Sequence, residues 1–403
     1  MITAIIGGGA AGLMAACLLA RSGAEAILLE KQPRVGRKLL STGNGRCNLT
    51  NLHASPRDYH GDARYVRAAL AALPPAHTMA LFADLGVMCD ADSEGRVYPV
   101  SNQAAGVLDG LRLYAAERGC DIRTECAAAR IDRQKNGFSI ECADGRWLRA
   151  DFIVIACGGL AAPKLGACAD GYRLLERFGH TISPRYPAIA ALKTDPAAVR
   201  ALKGIRMHGM ISLHGKSGAI RTETGEILFG DGTISGIAAM QLARDVNLRP
   251  REALSAHLNF LPNAAPDLMC TRTALLPDRM MDDFLSGIVP KRLGQAIVKA
   301  AGISLNAPAG SLRGPEMFSL QRQLTDFTLP VTGTLGFDQA QVTAGGARIA
   351  EFSEAALESA RCPNLFAAGE VLDVDGDCGG FNLQWAWASA KMVVDEIQKR
   401  CGL

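Results

Sequence analysis

The chain contains 12 cysteines but no C-x-x-C pair, a spacing that argues against both a finger-type zinc site and a redox dithiol. Its thiols fall within apolar segments such as IVIAC at 153–157, as reduced core cysteines do, and this predicts a cytoplasmic setting with no metal centre. No run resembles a membrane span. The apolar stretch near the N-terminus carries glycines and Arg21, and neither a basic leader nor a cleavage-like segment precedes it, so no signal peptide is expected. Low-complexity tracts are absent, and 48% hydrophobic with 21% charged residues is the composition of an ordinary globular protein. A large excess of one charge is missing too: a formal +3 does not demand a nucleic-acid partner, although it permits a local basic surface.

What is present begins at the first residues. Ile2 to Ile6 form a short β-branched strand, GGGAAG follows at 7–12, and a small-residue helix leads to ILLE ending at Glu30. In this order Gly7 permits the turn, Gly9 lets the backbone approach a pyrophosphate, and Gly12 brings helix and strand together. The helix start offers N–H groups and positive dipole to phosphates, and Glu30 stands where a carboxylate takes a ribose 2′-hydroxyl.

At 403 residues, two or three units are expected. A polar loop, PRVGRKLLSTGNGRCNLTN at 33–51, has too many glycines and asparagines for a helix. Periodicity predicts helices over Ala76 to Leu85 and Gln103 to Arg118, and strands over Asp121 to Thr124 and Ala128 to Asp132. Phe138 to Cys142 and Arg146 to Ala150 flank ADG as a hairpin, and Asp151 to Ala156 reads as a buried parallel strand ending at Gly158-Gly159. Pro184 and Pro187 bracket a boundary. The division expected is 1–187, an inserted substrate or cap domain at 188–329, and 330–403 returning to the first domain. Within the insertion, Gly209 to Leu213 and Gly218 to Glu223 read as strands, Arg251 to Leu258 and Lys291 to Ala301 as helices.

A second backbone-donor site is written near the C-terminus, where AAGE at 367–370 follows a short apolar strand and Gly379-Gly380 precede the helix of FNLQWAWASA. Trp385 and Trp387 diverge on that helix, so at least one belongs to the core. Asp170, directly before GYRLLERFG, reads as an N-cap, with a contact to FAD as the alternative. The stretch with Lys203, Arg206, His208, His214, Lys216 and Arg221 is a solvated face by default, and a phosphate-tracking surface if the insertion meets RNA.

GGGAAG at 7–12, STGNGRCNLTN at 41–51, ISG at 234–236, QVTAGG at 341–346 and AGEVLDVDGDCGGFNLQWAWASA at 368–390 together resemble the bacterial BaiN/RdsA-type flavoproteins. These are also described as aminoacetone oxidase-like, within the two-dinucleotide-binding-domain superfamily. The resemblance implies FAD, an α/β fold with a Rossmann-like FAD-binding domain built from both chain ends, and an inserted β-rich domain carrying a helical subdomain. Cofactor contacts then fall on Gly7, Gly9, Ala10, Ala11, Gly12, Glu30, Lys31, Thr42, Gly43, Asn44, Arg46, Cys47 and Ala128 in the first half. They continue at Gly158, Gly159, Gly369, Glu370, Gly380, Asn382 and Leu383, with Glu370 on ribityl hydroxyls and the helix start near the flavin pyrimidine ring. Ile237 stands where the family usually has proline, and ALES at 356–359 replaces a common TMES.

Activities in the family are hydride exchanges at flavin N5. The reading favoured is an NAD(P)H-driven reductase of an activated C=C bond, with uridine in large-subunit ribosomal RNA as substrate. An oxygen-using amine oxidase and a flavin-containing RNA-binding protein without turnover are the alternatives, and a small enone or amine is the alternative substrate. Only one nucleotide fingerprint is present, so NAD(P)H docks transiently. Cys47, beside Arg46, is a candidate proton donor if the guanidinium favours its thiolate, and Cys378 is a second candidate; for both, a small buried hydrophobe is the competing role.

Overall fold

The computed structural model describes every residue, Met1–Leu403. It divides into two compact units, Met1–Tyr186 with Gln341–Leu403, and Pro187–Ala340.

In the first unit, β1 (Ile2–Ile6), α1 (Ala10–Arg21) and β2 (Glu25–Leu29) form the expected opening. β3 (Asp121–Arg123) and β4 (Phe152–Ile155) follow, then α2 (Asp170–Arg177), β5 (Leu365–Ala367) and α3 (Phe381–Cys401). The five strands make one parallel sheet in the order β5-β4-β1-β2-β3. Ile6 is level with Leu29 on one side and Ile155 on the other, and Ile155 with Ala367, so four strands end together at one edge. The reversal of strand order around β1 makes that edge a ligand crevice. Phe152 to Ile155 are all buried, the continuous apolar pattern of a strand covered on both faces.

Helix α1 is buried from Ala11 to Ala20, packed between the sheet, α3 and the helix Ala104–Glu117, which explains its run of small residues. The helices expected near 76 and 103 are Pro75–Asp84 and Ala104–Glu117. A three-stranded antiparallel sheet, Ala128–Arg133, Phe138–Cys142 and Trp147–Ala150, connects β3 to β4. The α/β architecture built from both chain ends is therefore present.

The second unit is a seven-stranded antiparallel sheet carrying helices. Its long strands are Arg206–Gly215 and Gly218–Phe229, and its helical part includes Leu268–Leu275, Lys291–Ala300 and Gly314–Thr325. Two expectations are corrected. The predicted helix over Arg251 to Leu258 is a strand, Leu254–Asn259, in which Leu254, Ala256 and Leu258 are buried while Ser255, His257 and Asn259 are half-exposed. That is a period of two, and it outweighs the apolar content that suggested a helix. Residues 330–340, expected with the C-terminal part, fall instead in this unit, where Val331 pairs opposite Leu254 and Thr334 opposite Leu192. Ile237 begins the short helix Ile237–Gln241, and the first helical position is the place where proline is tolerated best.

Candidate active site

The crevice edge is assembled from turns whose geometry only their own residues permit. Gly7 has φ +109°, its N–H donates to Leu29 O at 2.8 Å, and a Cβ there would stand 2.6 Å from Ala156 O. A Cβ on Gly12 would meet Gly7 O at 1.9 Å, so helix and strand touch through that glycine. Gly9 differs: a Cβ there meets nothing within 4 Å. The first intrahelical bond of α1 runs from Leu13 N–H to Gly9 O, which leaves the amides of Ala10, Ala11 and Gly12 at the helix mouth.

Glu30 directly follows β2 with its carboxylate turned back on the turn, Oε2 accepting from Gly8 N–H at 2.8 Å and Oε1 from Gln32 N–H at 2.7 Å. Its carbonyl accepts from Cys126 N–H at 2.9 Å, which ties the segment leading into Ala128 to the end of β2. Lys31 donates to Asp170 Oδ2 at 3.0 Å. The N-cap reading of Asp170 is corrected here: it is the first residue of α2, Ala169 is the cap, and no side chain caps the helix. Burial works against ionisation of Asp170, but hydrogen bonds from Cys168, Arg173 and Lys31 prevail and hold its carboxyl at about 2.

On the other side of β1, Gly158 adopts φ +71° and Gly159 approaches Thr343 and Glu370 so closely that a Cβ would stand 2.4 Å from Thr343 Oγ1. Thr343 Oγ1 accepts from the amides of Leu160 and Ala161 at 2.8 and 2.9 Å. Glu370 Oε1 accepts from Thr343 N–H at 2.8 Å and Oε2 from Lys38 Nζ at 2.7 Å. Lys38 and Thr343 were not singled out on sequence. Gly369 packs onto Ala11, donates to Ser389 Oγ at 2.9 Å and accepts from Trp385 Nε1 at 3.1 Å, so the 369 turn and the start of α1 are in contact.

The start of α3 is held against the polar loop. Gly380 has φ +100°, and a Cβ there would stand 2.5 Å from Thr50 O. Asn382 Oδ1 accepts from Gly376 N–H at 2.8 Å while its Nδ2 donates to Gly376 O at 2.7 Å, clamping the preceding turn; Leu383 is half-exposed. Trp385 and Trp387 are both core, and Trp387 Nε1 donates to Leu49 O at 2.9 Å. What holds the polar loop is thus α3, whose Gln384 also accepts from Thr50 Oγ1 at 2.6 Å.

Within that loop Gly43 and Asn44 adopt φ +56° and +55°, and Cys47 φ +64°. Cys47 is fully buried, and burial pushes its thiol up to about 12 against the opposing hydrogen bond with Thr42. Arg46 does not favour the thiolate. Its guanidinium lies 4.3 Å from the Tyr98 ring centroid and donates through Nε to Gly43 O at 3.3 Å. Burial likewise raises the Cys378 thiol to about 11. Neither cysteine is an activated nucleophile.

Two features fit a dinucleotide cofactor. The open space at Gly9 lies beside helix-start amides, and Asn48 Oδ1 is a buried acceptor without a donor, 2.7 Å from where a Gly380 Cβ would be. A buried acceptor of this kind is costly unless a ligand supplies the hydrogen.

The model of the HI0933-like protein Rossmann domain matches residues 1–395. The chain belongs to this family. It is an FAD-dependent oxidoreductase. It is 36% identical over 96% of both chains to a 3-dehydro-bile acid Δ4,6-reductase of Clostridium scindens. It is 29% identical to the ribosomal RNA dihydrouridine synthase of Escherichia coli, over 96% of this chain and 95% of the relative. Among solved structures, 3-ketosteroid Δ1-dehydrogenase of Sterolibacterium denitrificans is similar in fold, with 13% identity, 99% of each chain covered and a TM-score of 0.52. No helix is long and apolar enough to cross a membrane.

Proposed function

We propose that the enzyme reduces a ring C=C bond conjugated to a carbonyl, with NAD(P)H as electron donor, and that the ring is a uracil in large-subunit ribosomal RNA. The observation that supports the reaction class is the full-length likeness to a 3-dehydro-bile acid Δ4,6-reductase and to a ribosomal RNA dihydrouridine synthase, and the uracil assignment follows the second of these names. Hydride would arrive at uracil C6 and a proton at C5. The basic stretch of the second unit adds little support, because Lys203 pairs with Asp231 at 2.9 Å and Arg206 with Glu226 at 3.0 Å.

Bound FAD supplies hydride transfer at N5. The chain's own residues bind and orient. Gly9 and the amides of Ala10, Ala11 and Gly12 receive the pyrophosphate, and Glu30, with Lys31 and the backbone near Ala128, receives the adenosine. Glu370, held by Lys38 and Thr343 beside Gly158, Gly159 and Gly369, takes ribityl hydroxyls. The start of α3 at Gly380, Asn382 and Leu383, with Asn48 Oδ1, takes the pyrimidine ring, where the helix dipole favours negative charge. Thr42, Gly43, Asn44 and Arg46 shape the loop that faces the reacting end. Pro187–Ala340 carries substrate recognition, and NAD(P)H docks transiently because the chain has one nucleotide fingerprint.

The test is anaerobic reduction of the FAD-loaded protein by NADPH or NADH, followed by ribosomal RNA from a strain lacking the gene or by a steroid dienone. Oxidation of the flavin by the RNA alone, with dihydrouridine formed, supports the whole reading. Oxidation by the dienone alone keeps the reaction class and overturns the substrate. Reaction only with oxygen, yielding peroxide, points to an amine oxidase, and a flavin that never cycles points to a binding protein.

A further inference from the structure

The end of β2 and the start of α2 bring together an amine and a thiol that take no part in the proposed hydride transfer. Asp170 Oδ2 accepts from Lys31 Nζ at 3.0 Å and from the Cys168 thiol at 3.0 Å. Amine and thiol therefore meet on one carboxylate oxygen. The Lys31 and Asp170 side chains are 30% and 31% exposed and Cys168 is half-buried, which opens the cluster to small oxidants. A second thiol is close by, but Cys157 Sγ donates to Ile6 O at 3.3 Å and is engaged with β1.

We propose that Lys31 and Cys168 are an oxidative modification site, joined by a nitrogen–oxygen–sulfur bridge between Nζ and Sγ that fixes the end of β2 to the start of α2. The co-reactant is dioxygen. The neutral amine loses one hydrogen and the thiol loses one; one oxygen atom becomes the bridge, and the other leaves with both hydrogens as water. Nitrogen and sulfur together give up the four electrons that dioxygen accepts. Both atoms already sit 3.0 Å from the same carboxylate oxygen, so a single bridging atom joins two groups held on one side of Asp170. A direct sulfur–nitrogen bond would pull both away from Asp170.

The cluster also sets the conditions. Both Lys31 and Cys168 are held in their protonated forms, the thiol chiefly by burial and the ammonium by its hydrogen bonds to Cys168 and Asp170, which outweigh its own desolvation. The amine must shed a proton before it reacts, so bridging is slow at neutral pH and faster in alkaline buffer. Glu30 precedes Lys31 directly, so the bridge stiffens the adenosine end of the cofactor crevice and delays loss of FAD.

The experiment uses the full-length, FAD-loaded protein, incubated in air-saturated or anaerobic buffer at neutral and alkaline pH, digested and read by mass spectrometry. The expected product joins the Lys31 and Cys168 peptides with one oxygen gained and two hydrogens lost. It forms only in air, increases with pH, reverts with dithiothreitol, and is absent from both Cys168→Ser and Lys31→Arg, whose guanidinium keeps the charge but is a poor nucleophile. Sulfinic acid on Cys168 without a joined pair, a Cys157 to Cys168 disulfide, or a joined pair without the added oxygen each overturns the proposal. FAD loss on dialysis that is as fast from the bridged as from the reduced protein overturns its link to the cofactor. None of these readouts requires turnover, so failure here leaves the assignment of substrate and reaction untouched.

Discussion

Lys38 Nζ and Glu370 Oε2 lie 2.7 Å apart although 332 residues separate them in the chain. One residue comes from the polar loop after β2 and the other from the turn after β5, so the ion pair closes the crevice edge across both chain ends. Thr343 N–H holds the other carboxylate oxygen. The orientation of Glu370 therefore depends on two groups that lie outside its own AAGE segment.

The first prediction follows from that dependence. Lys38→Met should weaken FAD binding about tenfold, the scale of one partly exposed hydrogen bond to a charged group. The folded state should survive, because neither side chain is fully buried. Flavin titration of the apoprotein measures it, and an unchanged dissociation constant would remove Lys38 and Glu370 from the cofactor site.

The fingerprint glycines separate binding from folding. Gly9→Val places its side chain in open space and should leave the thermal midpoint near wild type while abolishing FAD retention. Gly12→Ala forces a Cβ to within 1.9 Å of Gly7 O and should lower the midpoint itself. Thermal melts of the two apoproteins, read beside their flavin content, decide. Stoichiometric FAD in Gly9→Val would sink the pyrophosphate assignment.

How much of this was readable in advance depends on distance along the chain. The strand Ile2–Ile6, the glycine turn and Glu30 are contiguous, so each position's constraint is written beside the next. The strand Leu254–Asn259 was misread because six residues with three apolar positions suit either period, and only its pairing with Arg206–Gly215 decides. Lys38 carried no signal, since its partner is remote. Cys47 illustrates the converse: adjacency to Arg46 in sequence says nothing about adjacency in space when the loop turns through positive φ at Gly43, Asn44 and Cys47.

A buried cluster near ALES should contribute to the fall of stability in acid. His180 Nδ1 faces Glu351 Oε2 at 3.1 Å and His180 Nε2 faces Ser359 Oγ at 2.7 Å. Burial lowers the His180 pKa below 6.5, against the hydrogen bond that its ring donates to Glu351. Burial would raise Glu351, but hydrogen bonds from Arg361 and Thr181 bring its carboxyl from 4.5 to about 2. Both groups bind protons less readily folded than unfolded. Their stabilisation is complete above about 6.5, falls below that pH because His180 of the unfolded chain takes up a proton before the folded one does, and falls further between 4.5 and 2. Denaturant unfolding as a function of pH should show this, and Glu351→Gln should flatten the lower part of the fall. An acid limb unchanged by that substitution would place the sensitivity elsewhere.

The last prediction concerns Cys47, where geometry and chemistry point away from the role that its loop first suggests. A proton donor must reach the substrate carbon and regain its proton each cycle, yet this thiol is fully buried, its pKa is raised to about 12, and its neighbouring guanidinium is stacked on Tyr98. Cys47→Ser should therefore lower stability by about 1–3 kcal/mol, the cost of a buried hydroxyl with imperfect partners, and loosen the loop from Thr42 to Asn48. FAD retention should fall with it. In protein saturated with FAD, substrate-dependent reoxidation should stay within a factor of about two of wild type, whereas loss of a general acid slows that step on the order of 10²-fold or more. Stopped-flow reoxidation at saturating FAD separates the two, and a slow step with undiminished FAD binding would restore Cys47 to the reaction.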